Sequence, residues 1–329
     1  MKVLAYGEIM LRLSTADYTR LEDTDNFDAC YGGTESNVLV ALSHLGDETS
    51  YISKVPNNAL GEGVIRHLRK HNVGLEHLLV GGSTLGIYFL QPGFGSLPSK
   101  VIYHRKGAVV NTILEDDLCY DEIFNGVSWF HVTGISLAIS ENSKKVSIRL
   151  CKEAKKRGVK VSFDFNYRAT LWTIDEAKVA FNEIMQYVDV CFGNQYDLKN
   201  LGIKGDSYEE MIENFLGKYD VKYLINTTRT IIDANTQSLR GSLYYLNEGK
   251  LDYIQTLDEQ FEVLDRIGGG DAFVAGIIHI LNKEFENKTE ALHLGLKCGI
   301  LKHLVKGDVL SLSETEIKEW INNNKDVIR

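Results

Sequence analysis

The chain has 329 residues, of which 44% are hydrophobic and 25% are charged, and its formal net charge is −9. These proportions exclude a disordered, collagen-like or coiled-coil protein, and a chain of this length can bury a substantial core. The acidic balance disfavours general attraction to nucleic acid or to an anionic membrane surface.

Cysteine usage and hydropathy favour a cytoplasmic location. The chain has 5 cysteines, an odd number, and none has the C-x-x-C spacing of a zinc site or redox motif. The N-terminus lacks a basic region followed by an apolar stretch, and nowhere do about 18 apolar residues run together. We therefore expect a cytoplasmic protein that does not bind membranes or nucleic acid.

Short apolar runs alternate along the chain with amphipathic segments. The runs are rich in Val, Ile, Tyr and Phe, which predicts buried strands at Lys2–Tyr6, Thr49–Ser53, Trp129–Thr133, Lys160–Phe163, Val188–Phe192 and Tyr223–Thr227. Helical periodicity predicts helices at Glu35–Leu45, Gly61–His71, Glu141–Arg157, Thr173–Tyr187 and Tyr208–Tyr219. This alternation is typical of an α/β fold in which helices cover both faces of a parallel sheet.

Two regions break the alternation. Within Gly86–Arg105, two strand-like runs flank the turn-rich segment Gln91–Ser99, which predicts a β-hairpin. The segment Leu11–Gly33 is polar and aromatic and has no helical period. We group both regions into a small β appendage that works as a lid beside the main α/β unit.

The strongest local motif is Asp265-Arg-Ile-Gly-Gly-Gly-Asp271, which leads into an apolar helix. Consecutive glycines let the backbone turn sharply and aim N–H groups outward, and a helix N-terminus adds partial positive charge. The motif therefore predicts a phosphate cradle, with Asp271 in the first helical turn, able to cap the helix and to reach a bound hydroxyl. The alternative is an ordinary glycine turn with a capping Asp.

A second glycine pair, in Tyr31-Gly-Gly-Thr-Glu-Ser-Asn37, also precedes a helix. One helical turn separates Asn37 from Gly33, so we expect the amide to face back over the glycines. The alternative is again an ordinary capped helix start.

Together these motifs resemble those of the ribokinase-like (PfkB) carbohydrate kinases. The resemblance covers essentially the whole chain and includes Gly7-Glu-Ile-Met-Leu-Arg-Leu-Ser14 near the start. It is closest to the 2-keto-3-deoxygluconate kinases through Gly86–Leu90, Ser99–Arg105, Phe163–Trp172 and Gly307-Asp308. It implies a single ribokinase-like domain over residues 1–329, with a parallel-rich sheet between helices, lid segments at about 11–33 and 86–108, and ATP and Mg²⁺ as cofactors.

The resemblance also implies roles for individual residues. Asp271 would be the catalytic base, and the backbone of Gly268, Gly269 and Gly270 would form the anion hole. The sugar substrate would be held by Gly33, Asn37, Tyr88, Tyr103, Arg105, Arg168 and Asp308. The nucleotide would contact Asn194, Thr228 and Arg229, and Asp197 would act indirectly on magnesium.

Two positions depart from the family pattern. The family usually has Ala where this chain has Gly269; because the N–H donor is retained, we expect the anion hole to be intact and Gly269→Ala to be tolerated. The family's Asn-x-x-Glu appears as Asn194-Gln-Tyr-Asp197, with a carboxylate one methylene shorter. A cation held partly through water accommodates that exchange.

The substrate class is predicted from two arginines. Arg168 follows a predicted strand, and Arg105 shares one hairpin face with Val101 and Tyr103, a face that Tyr88 could join. If Arg105 and Arg168 converge, they match a carboxylate rather than a neutral sugar.

We therefore predict ATP-dependent phosphorylation of 2-keto-3-deoxy-D-gluconate to its 6-phosphate by a homo-oligomer that associates through the lid. The alternatives are a kinase of the same fold for fructose, 5-keto-2-deoxygluconate or 2-keto-3-deoxygalactonate, and a non-catalytic sugar-acid-binding protein.

Overall fold

A computed structural model describes residues 1–95, 97–233 and 235–322. Its strands are β1 (Lys2–Tyr6), β2 (Met10–Thr15), β3 (Phe27–Gly32), β4 (Glu48–Val55), β5 (Leu78–Val80), β6 (Ile87–Gln91), β7 (Lys100–His104), β8 (Val127–Thr133), β9 (Lys160–Asp164), β10 (Val190–Phe192), β11 (Tyr223–Ile231), β12 (Thr236–Asn247), β13 (Lys250–Gln255) and β14 (Glu259–Glu262). Its helices are α1 (Thr34–His44), α2 (Ala59–Lys70), α3 (Tyr120–Ile123), α4 (Gly134–Ala138), α5 (Glu141–Lys156), α6 (Ile174–Ile184), α7 (Gln195–Leu201), α8 (Tyr208–Tyr219), α9 (Gly269–Lys283), α10 (Lys288–His303) and α11 (Glu314–Asn322).

Most strands form one large sheet in the order β13-β12-β11-β10-β9-β8-β1-β4-β5, with β14 paired to β12. Neighbours from β11 to β5 pair in parallel, whereas β12 pairs antiparallel with β11, β13 and β14. The predicted α/β class is thus confirmed, with an antiparallel extension at one edge.

The side chains of each central strand pack alternately into two cores, one on each face of the sheet. On β1, Leu4 and Tyr6 belong to the core that includes α5 and α6, whereas Val3 and Ala5 belong to the core that includes α1, α9 and α10. A strand that is covered on both faces needs apolar residues at successive positions, which is why these strands read as continuous apolar runs.

Four other strands form a separate sheet in the order β3-β2-β6-β7, which we call the small sheet. The predicted hairpin is confirmed, because β6 and β7 pair antiparallel with Tyr88 opposite Tyr103. The segment from residue 11 to 33 supplies β2 and β3, and β2 joins the hairpin through parallel pairing with β6. Ser96, in the predicted turn, lies outside the described residues.

The predicted helices are present, with ends set by side-chain caps. Thr173 and Glu176 form a reciprocal capping box at the start of α6, which makes this helix begin one residue after Thr173. Ser140 caps the start of α5 by accepting a hydrogen bond from the Ser143 N–H. Among the helices within the described residues, none is long and apolar enough to span a bilayer.

Candidate active site

A cavity of ≈ 570 Å³ lies between the small sheet and the carboxyl ends of β9, β10 and β11. The N-terminal ends of α1 and α9 also open into it. In open α/β sheets this edge is where ligands bind, because the loops that follow parallel strands meet there. Its lining includes the predicted residues Gly33, Asn37, Tyr88, Tyr103, Arg105, Arg168, Asn194, Asp197, Gly268, Gly270, Asp271 and Asp308.

The start of α9 forms the predicted cradle. Gly268 is its N-cap, in the left-handed region with φ +83°, and a Cβ there would overlap the carbonyl oxygen of Asp308. Glycine is therefore required on both conformational and steric grounds. The first N–H groups of a helix have no partner within the helix, so those of α9 are available to an anion in the cavity.

Gly269 lies beneath the cradle rather than in the cavity lining. A Cβ at this position would overlap Cε1 of His303 and lie 2.8 Å from both ring nitrogens. The ring is itself held, because its Nδ1 lies 2.6 Å from the Gly299 carbonyl oxygen and it packs on Phe261. We therefore expect Gly269→Ala to carry a cost rather than to be freely tolerated, because the His303 ring would have to move to admit a methyl group.

Asp271 lies in the first turn of α9 and accepts a hydrogen bond of 2.7 Å from the Asn37 side-chain amide. The oxygen of that amide accepts a hydrogen bond of 3.2 Å from the Gly33 N–H, so Asn37 faces back over the glycines as predicted. Burial raises the pKa of Asp271 to about 7, against the lowering effect of the Asn37 hydrogen bond, and the charge of Asp308 adds to the rise. A carboxyl group that titrates near neutrality can accept a proton and is suited to general base catalysis.

Two further carboxylates lie near Asp271. Burial, together with the negative charges of Asp271 and Asp197, raises the pKa of Asp164 to about 7. Asp197 accepts a hydrogen bond of 2.8 Å from the Asn194 N–H and closes a capping box at the start of α7. Within the described ranges, no group of three or more His, Cys, Asp and Glu side chains is arranged to hold a metal by protein ligands alone.

The opposite wall is formed by the small sheet. The Tyr88 hydroxyl donates a hydrogen bond to Asp308, and the Tyr88 and Tyr103 rings lie 5.8 Å apart. Arg105 forms an ion pair with Glu8, whose pKa is raised by burial. Arg168 is exposed and has no ion pair among the described residues. Both predicted arginines thus line one cavity, but only Arg105 has a charged partner already.

This chain is similar to carbohydrate kinases over nearly its whole length. The pfkB family carbohydrate kinase model matches residues 1–316. The chain belongs to this family. A 2-dehydro-3-deoxygalactonokinase from Haloferax volcanii is 30% identical over 318 residues, 96% of this chain and 95% of its own length.

Two further relatives carry related names. A 5-dehydro-2-deoxygluconokinase from Clostridium perfringens is 24% identical over 98% of this chain and 94% of its own. The crystal structure of a 2-dehydro-3-deoxygluconokinase from Thermotoga maritima is 34% identical, covers 98% of each chain and has a TM-score of 0.90. The protein is therefore a sugar or sugar-acid kinase, a transferase of carbohydrate metabolism with the ribokinase-like fold.

The cavity does not include every predicted residue of this kinase. Thr228 and Arg229 are exposed on β11 beyond the lining, and the preceding residues Asn226 and Thr227 line it instead. The sequence analysis missed the lining residues Glu8 and Asp164. Each lies just past the carboxyl end of a predicted strand, and this position could have identified both as candidate site residues.

Proposed function

We propose that this kinase transfers the γ-phosphoryl group of ATP to the terminal hydroxyl of 2-keto-3-deoxy-D-gluconate, giving the 6-phosphate and ADP. The observation that carries the proposal is that Arg105 and Arg168 line the same cavity as Asp271 and the glycine cradle. A neutral sugar needs hydroxyl partners, whereas a carboxylate is matched by the planar fork of a guanidinium group. Two such groups opposite a base favour a sugar acid.

The residues of the chain divide the work of phosphoryl transfer. Asp271 accepts the proton of the attacking hydroxyl, and Asn37 holds the carboxylate in place by the hydrogen bond between them. The N–H groups of Gly268, Gly269 and Gly270 stabilise the charge that develops on the transferred group. Gly33, Tyr88, Tyr103 and Asp308 orient the sugar.

The donor set also fits magnesium–ATP. The pKa of Asp164 is raised partly by its carboxylate neighbours, and a hard cation near this cluster would relieve that repulsion. Asp197 and Asp164 would act on it through water, and when bound it neutralises charge on the ATP phosphates. On the nucleotide side we keep Asn194, Thr228 and Arg229 as contacts.

Two further expectations remain proposals. One is that residues 1–329 form a single domain, with the small sheet as a lid. The other is a cytoplasmic homo-oligomer that associates through this sheet, which is supported by the exposed side chains of Phe27 and Ile102 on it.

The proposed function is tested by an assay of ADP release over a panel of substrates. The panel contains 2-keto-3-deoxygluconate, its galactonate epimer, 5-keto-2-deoxygluconate, fructose and ribose. We expect the highest kcat/KM with 2-keto-3-deoxygluconate. A higher kcat/KM for another member of the panel would identify that compound as the substrate instead. Sugar-acid binding measured by calorimetry, without ADP release, would support a binding protein.

Asp271→Asn is expected to lower kcat by about 10² to 10⁴, the usual contribution of a general base, and to leave sugar binding nearly unchanged. The variant keeps the size of the side chain and removes its basicity. Asp206→Asn, at an exposed position outside the cavity lining, is the matched control and should turn over like the parent protein. Turnover of Asp271→Asn above about a third of the parent value would contradict the assignment.

Arg168→Lys is expected to lower kcat/KM for the sugar acid by about tenfold to a hundredfold, because Lys cannot grip both carboxylate oxygens. Arg105→Lys should have a smaller effect, since Glu8 already neutralises part of the Arg105 charge. The matched measurement uses a neutral hexose, whose weak turnover should not respond to either change. Equal losses of kcat/KM for the sugar acid and the hexose would show that the arginines do not recognise the carboxylate.

A further inference from the structure

Arg12 lies on β2 of the small sheet and is only 4% exposed. Its guanidinium group donates three hydrogen bonds of 2.6 Å, from Nη1 to Asp308, from Nη2 to Asp265 and from Nε to Ser14. One planar group thus joins the small sheet to two loops of the main body.

The two carboxylates that Arg12 holds shape different parts of the site. Asp265 accepts hydrogen bonds from the N–H of Ile267, at 3.1 Å, and from the N–H of Gly307, at 3.0 Å. It therefore fixes the turn that leads into the cradle. Asp308 lines the cavity, and its backbone carbonyl packs against Gly268, the first residue of the cradle.

Lys302 holds the same two loops from the opposite side. It is fully buried, and its ammonium group donates to the backbone carbonyls of Asp265, at 3.4 Å, and of Val305, at 3.1 Å. Because Lys302 bonds to carbonyls, it does not neutralise the carboxylates of Asp265 and Asp308. Arg12 forms ion pairs with both carboxylates from the small sheet, and the Tyr88 hydroxyl adds a hydrogen bond to Asp308 from the same sheet.

We propose that Arg12 is a positioning residue that fixes the cradle and Asp308 relative to the small sheet. A buried ion pair by itself is weak evidence for stability, since apolar packing often does as well. A fork that grips two carboxylates at once instead fixes the distance between them. Sugar held under the small sheet and phosphate held in the cradle are thereby brought into register. The proposal rests on the function proposed above.

The test uses chemical rescue of Arg12→Ala. A cavity of ≈ 640 Å³ lined by Arg12, Cys30 and Lys306 lies beside the guanidinium group, so a small cation can reach the gap left by the substitution. We expect kcat to fall by about tenfold to a hundredfold with little change in KM for ATP. Guanidinium at about 20 mM, far below the molar range that unfolds proteins, should restore much of the loss, whereas urea of the same shape should not.

Two further variants separate positioning from folding. Arg12→Lys keeps the charge but cannot grip both carboxylates, so we expect a kcat loss of about tenfold without unfolding. Arg20→Ala removes an exposed arginine of the same segment and should leave kcat unchanged. Parent-like kcat in Arg12→Lys, or equal effects of guanidinium and urea on Arg12→Ala, would overturn the proposal.

Amide hydrogen exchange over residues 264–271 gives a readout that does not depend on turnover. We expect faster exchange there in Arg12→Ala and a specific slowing by guanidinium. If no sugar of the panel is phosphorylated but this change is seen, the proposed function fails and the positioning role stands. If turnover is normal for the parent protein and exchange does not respond to Arg12, the positioning role fails.

Discussion

At the level of single residues, burial is the main cause of the altered acidity of Asp271. The charged form loses its hydration in the cavity wall, and the Asn37 amide and the Arg168 charge compensate part of that loss. The pKa of Asp164 is raised by the same cause, and the negative charge of Asp271 adds to the rise. From the sequence alone, the usual pKa of an aspartate would be expected at both positions.

The pKa of Asp271 predicts a pH dependence. Because a general base acts in its deprotonated form, kcat/KM should rise with pH and reach half of its maximum near the value of about 7. Asn37→Ala removes the hydrogen bond that lowers this pKa, so the midpoint should move to higher pH. Asn214→Ala, on exposed α8 surface, is the matched control. An unchanged midpoint in Asn37→Ala would show that the rise of kcat/KM with pH does not reflect the titration of Asp271.

Gly269 and His303 are expected to be energetically coupled. Gly269→Ala forces a methyl group against the ring of His303 and should cost about 1–3 kcal/mol of unfolding free energy, as overpacking does. His303→Ala should also destabilise, because it removes the packing on Phe261. The double variant should lose less than the sum of the two, since the smaller side chain makes room for the methyl. Urea unfolding measures the cycle, and additive losses would exclude the coupling.

At the level of elements, the crossing of α9 and α10 depends on two facing glycines. A Cβ at Gly276 would lie 2.7 Å from the Cα of Gly295, and this neighbour is backbone that cannot rotate away. The same helix also contacts the first turn of α9, since a Cβ at Gly299 of α10 would lie 3.3 Å from the Gly269 carbonyl oxygen. The sequence shows both glycines but not that they meet.

The crossing predicts opposite effects for the same substitution in two helices. Gly276→Ala should destabilise the protein by about 1–3 kcal/mol, because the helices must move apart. Gly217→Ala, on α8, has open space around its Cβ and should stabilise by up to about 1 kcal/mol through helix propensity. Urea unfolding of the two variants measures both effects. A stabilising Gly276→Ala would show that the helices are not in close contact there.

At the level of the whole molecule, part of the acidic excess is concentrated in the site. The cavity lining includes the carboxylates of Glu8, Glu35, Asp164, Asp271 and Asp308. The overall charge of −9 could instead have been distributed over the solvent-exposed surface. Burying carboxylates costs free energy unless cations or donors face them. Arginines from distant parts of the chain supply cations within the protein, and the magnesium ion of bound magnesium–ATP would supply a further one.

The amino-acid sequence determined the local structure and the chemistry of the motifs. Apolar runs of strand length, the hairpin in Gly86–Arg105 and the glycine turn before Asp271 each depend on neighbouring residues, so their patterns are visible in the chain. The sequence left open whether Arg105 and Arg168 converge on one cavity, because Arg105 follows β7 of the small sheet and Arg168 follows β9 of the large sheet.

Only the tertiary structure decided which distant groups touch. Arg12 and Asp308 are 296 positions apart in sequence, and their ion pair exists because β2 crosses over the loop after α10. The same holds for His303 beneath Gly269, for Glu8 beside Arg105 and for the exclusion of Thr228 from the cavity lining. Such contacts depend on the relative placement of packed elements to within an ångström or two. Local sequence patterns set the periodicity of each element, whereas side-chain packing between elements sets that placement.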